Sequence, residues 1–112
     1  MVETILGEVY YKGRRRTLVH ATFTGPSSYS TGGFTGRINA LRQVEKVISA
    51  SNNGGYKSDI GDISIGTVAN RNLLTIKVRE YWYTCGGIDM APECESGRVL
   101  SGVTFSVVAI GS

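Results

Sequence analysis

The chain has 112 residues, enough for one domain with one core and too few for two. Hydrophobic residues make up 41% and charged residues 19%, a balance that lies toward burial and away from disorder. The net charge of +3 is mild and, apart from Arg14-Arg15-Arg16, spread along the sequence, which argues against a nucleic-acid binder.

No apolar run approaches the ~20 residues that cross a bilayer. The start, Met-Val-Glu-Thr-Ile-Leu-Gly-Glu, lacks the basic head and apolar middle of a secretory signal, so synthesis and folding in a cytoplasm are expected. Glycine is the compositional outlier at 15 residues. With Ser, Thr and Asn it recurs between short apolar runs, the pattern of turns joining many strands.

Residues 1–13 mix apolar and charged positions and predict an N-terminal arm or edge strand, with Val9, Tyr10 and Tyr11 its stickiest part. So short an arm cannot bury both its faces, and needs either the body (residues 14–112) or a neighbouring molecule. From Thr17 to Thr24 the period is two: Thr17, Val19, Ala21 and Phe23 face one way, Leu18, His20, Thr22 and Thr24 the other. Gly25-Pro26 ends that strand, because proline has no amide hydrogen for a ladder. A loop rich in glycine and hydroxyl groups, Ser27 to Gly33, follows. Arg37 to Gln43 suits one or two helical turns.

Val44 to Ala50 reads as a second strand, ended by Ser51-Asn52-Asn53-Gly54-Gly55. Asp59 to Val68, with Ile60, Ile63, Ile65 and Val68 broken by glycines, reads as short or bulged strands. The clearest alternation places Leu74, Ile76 and Val78 on a core face and Lys77 and Arg79 on a wet one. Past Glu80 both faces turn aromatic, at Tyr81-Trp82-Tyr83, as if that end were covered. Cys85 to Gly97 is an irregular loop. A last strand, Val99 to Ile110, carries Val103, Phe105, Val107 and Ala109 on one face and Leu100, Val108 and Ile110 on the other. Apolar on both faces, it belongs to the centre of a sandwich or to an interface. The fold class that follows is mainly β, an antiparallel sandwich or a jelly-roll-like small barrel with at most one short helix.

Catalytic chemistry finds little to work with. Nucleophilic catalysis needs a base beside the nucleophile, and the lone histidine, His20, lies in mid-strand, where a structural role is the ordinary one. Zinc wants about four Cys or His ligands, and Cys85, Cys94 and His20 supply three from unrelated segments. Cys85 and Cys94 are a candidate disulfide that would contribute about 2–3 kcal/mol by loop closure, the alternative being two free thiols. The carboxylate pairs Asp59/Asp62 and Glu93/Glu95 sit among glycines or in a loop and read as solvated acids, short of a glycosidase pair or a calcium loop. Gly32-Gly33-Phe34-Thr35-Gly36-Arg37 lacks the Gly-Lys-Ser/Thr ending of a P-loop, and turn geometry accounts for its glycines. No enzyme, cofactor, metal or small-molecule substrate is expected. Tyr10, Tyr11, Arg14, Arg15, Arg16 and Tyr29 form the candidate partner interface, a basic run beside tyrosines suited to an acidic protein surface or to phosphates.

The segment Thr22-Phe23-Thr24-Gly25-Pro26-Ser27-Ser28-Tyr29-Ser30-Thr31-Gly32-Gly33 resembles one found in small structural proteins of tailed bacteriophages, where a strand leads into a Tyr-x-Thr-Gly-Gly loop. The ending Leu100 to Gly111 also looks like theirs, and Leu73 to Val78 stands where such proteins place a central strand. The likeness covers most of the chain from Thr17 onward. It departs at Phe34, where an acidic residue is common, and in the cysteine loop. What the resemblance implies is a virion component made in a host cytoplasm, foremost a capsid decoration or cement protein. Such a protein is commonly a homotrimer that clamps the major capsid protein on the head surface, and no membrane is implied. A tail, baseplate or head-fibre module is the next reading. After it comes a non-viral carbohydrate- or nucleic-acid-binding module using Trp82 with Tyr81 and Tyr83 as a stacking platform.

Overall fold

In the computed structural model, strand pairing follows the two-residue alternation. The structure describes residues 2–58, 60–80, 83–84, 87–88 and 92–112, with 83–84 and 87–88 by backbone alone. Among the described residues nine strands appear in chain order: β1 Val2–Tyr11, β2 Arg14–Thr24, β3 Phe34–Arg37, β4 Val44–Asn52, β5 Ile63–Ile65, β6 Leu73–Ile76, β7 Tyr83–Thr84, β8 Gly87–Ile88 and β9 Thr104–Gly111. Short 3-10 turns, Ile60–Asp62 and Val68–Asn70, flank β5. No helix among the described residues is long and apolar enough to cross a membrane.

The strands form two antiparallel sheets, β1-β2-β9-β4 and β3-β6-β5, with β7-β8 as a separate ribbon. β9 is central because it pairs on both sides. Phe105, Val107 and Ala109 stand opposite Phe23, Ala21 and Val19 of β2, and opposite Asn52, Ala50 and Val47 of β4. That inner face is buried, each large side chain contributing roughly 1.5–3 kcal/mol by leaving water. β4 turns both Val44 and Val47 inward only by bulging twice, between Val44 and Lys46 and between Val47 and Ser49. The bulges explain why Val44 and Val47 are both buried at a spacing of three.

The smaller sheet supplies the opposing layer. Its central strand β6 places Leu74 and Ile76 in the core, and the extended chain beyond adds Val78. The Phe34 and Phe105 rings meet at 5.0 Å and 59°, joining the two sheets. Gly36 is required by close approach, since a Cβ there would lie 2.6 Å from the Phe23 ring. Among the described residues no buried side-chain polar atom lacks a hydrogen-bond partner.

The helical turns expected over Arg37 to Gln43 do not form. Arg37 ends β3 opposite Leu73, and Ile38 and Leu41, spaced like helix positions, are buried by one tight turn. The Asn72 side-chain amide donates to the carbonyls of Ile38 (3.3 Å) and Leu41 (2.9 Å), satisfying groups a helix would have used. The last strand also begins later than its apolar run, at Thr104. Leu100 and Val103 close a turn ahead of it, with Val103 N–H donating to the Leu100 carbonyl at 2.9 Å.

Candidate interaction surface

β1 and β2 form a hairpin whose register runs from Val2 opposite Thr22 to Tyr11 opposite Arg14, with a bulge at Leu6. Lys12 (φ 52°) and Gly13 (φ 76°) make the two-residue turn, which needs left-handed backbone at both positions. Gly13 thus closes this turn and Arg14 opens β2, and β1 is the edge strand of the larger sheet.

β9 ends at Gly111, opposite Thr17, so the hairpin runs past it by three residues of β2, about 10 Å. On this overhang Tyr10 stands opposite Arg15, Val9 opposite Arg16 and Tyr11 opposite Arg14. Tyr10 is 75% exposed, and Val2, Ile5 and Leu6 along the same strand are 64%, 64% and 52% exposed. The Lys12 ammonium lies 5.5 Å from the centre of the Tyr11 ring. Arg15 Nε is 3.4 Å from the Glu8 carboxylate, both exposed, so the pair contributes little.

Arg16 behaves differently from its neighbours. Its guanidinium forms an ion pair with Glu45, with side chains only 16% and 18% exposed, fastening the hairpin to β4 beyond the end of β9. It is an anchor, while Arg14 and Arg15 remain presented to solvent.

More positive charge gathers at this end than the linear order implied. Arg42 donates its backbone N–H to the Ser112 carbonyl (2.7 Å), and Val44 donates to that of Arg71 (2.9 Å). Strand pairing therefore sets Arg42, Lys46 and Arg71, all exposed, beside the end of β9, where the hairpin overhang begins. Away from this end acids and cations are matched: Glu80 and Glu95 pair with Arg98, and Asp62 with Arg79.

Tyr29, expected at the partner interface, is a core residue and is corrected here: it is 1% exposed. Its hydroxyl donates to Glu93 Oε2 at 2.7 Å and accepts from the Val78 N–H at 3.1 Å. Burial is the main cause that pushes its phenol well above the ordinary range. The same Glu93 oxygen accepts from the Gly32 N–H at 2.6 Å, pinning the glycine-rich loop. Burial alone would raise the Glu93 carboxyl. The bonds from Gly32 and Tyr29, with Lys77 and Arg79 nearby, outweigh it and hold the carboxyl below its usual range.

Of the carboxylate pairs, Asp59 lies outside the described residues. Asp62 accepts from Arg79 Nε at 3.1 Å on each oxygen, so it is paired rather than merely solvated. Glu93 is likewise engaged, and only Glu95 is an exposed loop acid. His20 lies on the outer face of β2 between Thr4 and Val108, with no acid opposite it. Among the described residues no three His, Cys, Asp or Glu side chains gather as a metal site. Cys94 is a buried free thiol, raised above its usual range by burial and by Glu80. Its candidate disulfide partner Cys85 lies outside the described residues, as do Tyr81 and Trp82.

Sequence reasoning missed Glu93 and the charged end for one reason. Neither has a local signature, since Glu93 serves residues more than sixty positions away. No protein-family model, no curated protein and no solved structure matches the chain.

Proposed function

We propose that this chain is a structural, non-catalytic component of a tailed-phage virion, a decoration or cement protein that clamps the major capsid protein on the head surface. The viral part of the reading rests on the resemblance carried by Thr22 to Gly33, Leu73 to Val78 and Leu100 to Gly111. The clamping part rests on one observation: β1 is a long sheet edge whose Val2, Ile5, Leu6 and Tyr10 are largely exposed in the single chain. Exposed apolar side chains along an open ladder call for a partner. A molecule that holds several neighbours at a symmetry axis gains avidity from such a surface, and a homotrimer is the assembly expected.

The test is co-sedimentation of the purified protein with empty, expanded phage heads, together with light scattering of the protein alone. Saturable binding to heads and a trimeric mass are expected. A monomer at high concentration that leaves every head preparation undecorated overturns the proposal.

A further inference from the structure

The larger sheet ends in two edges, and the chain treats them differently. β4 is bulged twice, and β5 with the Ile60–Asp62 turn packs beside it, next to an open groove lined by Ile48, Ser49, Ala50, Ile60 and Gly61. The outer strands of the smaller sheet, β3 and β5, are four and three residues long. These are the usual protections against unwanted pairing. β1 has ten residues and a single bulge, carries aliphatic side chains in the open, and leads into the basic hairpin tip.

We infer that β1 is a strand-addition site for an extended, carboxylate-rich segment of a partner protein, with the segment's acids meeting Arg14, Arg15 and Lys12. An added strand satisfies the backbone groups of the edge, and alternate side chains of the segment would lie against Ile5 and Tyr10. Charge selects its sign. The cations at the hairpin tip and beside the end of β9, Lys12, Arg14, Arg15, Arg42, Lys46 and Arg71, outnumber the acids Glu3, Glu8 and Glu45.

A protein strand fits better than a nucleic acid. Arg16, the third of the arginine run, is held against Glu45 in a largely covered ion pair, which interrupts a phosphate track. Neither the exposed apolar side chains nor the open ladder has a use for a phosphodiester backbone. Under the virion reading the segment would belong to a capsid subunit, but the inference stands on this edge alone and its test involves no capsid.

The probes are fluorescent peptides of about ten residues, enough to span the edge, that alternate valine with glutamate or valine with lysine. A proline-interrupted form of the glutamate peptide and a short duplex DNA complete the set. Anisotropy titration of the whole protein should show the glutamate peptide binding at least about tenfold more tightly than the lysine peptide, its proline form and the DNA. Binding should weaken by about tenfold or more between ~0.05 and ~0.5 M salt. Arg14→Glu combined with Arg15→Glu, both at exposed sites, should reverse the preference toward the lysine peptide. Ile5→Ser, which removes the apolar contact without adding charge, should weaken the glutamate peptide without changing the thermal midpoint. Equal binding of the proline form would mean charge without strand addition, tighter DNA binding would mean a polyanion site, and no binding would mean a closed edge; each overturns the inference. Peptide binding with undecorated heads would leave this site standing while the virion reading falls.

Discussion

The Tyr29 hydroxyl donates to the Glu93 carboxylate across 64 residues of sequence, at 2.7 Å, and through it the Ser27–Gly33 loop is locked to the extended chain beyond β6 at Val78. The bond turns a loop that reads as solvent-facing into part of the core. Replacing Tyr29 with Phe keeps the ring and deletes the hydroxyl, leaving the Val78 N–H and Glu93 each short of a partner. A loss of about 1–3 kcal/mol is expected, the cost of an unsatisfied buried group. Urea denaturation of wild type and Tyr29→Phe measures it, and equal midpoints would refute the bond's role.

Acid should loosen the same loop. The folded Glu93 carboxyl titrates below its ordinary value of 4.5, so its contribution to stability is fully present above that pH. It is lost as pH falls through the lower folded value. Glu93→Gln should therefore show a weaker dependence of stability on pH in the acid range than wild type. Identical acid profiles for the two proteins would count against the depressed carboxyl.

Gly36 offers a packing test. A Cβ there would lie 2.6 Å from the Phe23 ring, which is held between β3 and the larger sheet. Gly36→Ala should destabilise by roughly 1–3 kcal/mol, as overpacking does. If Phe23 is simultaneously shortened to Leu, part of the loss should return. Calorimetry of the single and double variants checks both statements.

The arginine run divides into anchor and display. Arg16→Ala strands Glu45 in a largely covered position and should cost about 1–3 kcal/mol. Arg14→Ala, at an exposed site, should move stability by less than ~0.5 kcal/mol. Thermal melts of the two single variants decide the matter; equal losses would erase the distinction.

Much of the fold was legible in the residues. Alternation is a property of neighbours, so Thr17 to Thr24, Val44 to Ala50, Leu74 to Val78 and Val103 to Ile110 announced their strands or their buried faces without help from distant parts. Pauses at Gly25-Pro26 and Asn52-Asn53-Gly54-Gly55 are equally local. In the latter the Asn52 side chain accepts from the N–H groups of Gly54 (3.0 Å) and Tyr56 (3.2 Å). Residues 37–43 misled because Ile38 and Leu41 repeat at a helical spacing, whereas Asn72, far along the chain, supplied their hydrogen bonds.

The sequence by itself therefore determined that this is an antiparallel β protein, which strands face a core, and where most of them turn. Only the tertiary structure decided that Tyr29 is interior, that Glu93 and Arg16 are fastenings, and that basic residues from three separate segments share one end. The physical reason is range. Strand alternation is written within a few residues, but which strand pairs with β9, and thus which charges and hydroxyls meet, depends on contacts between segments that are remote in the chain.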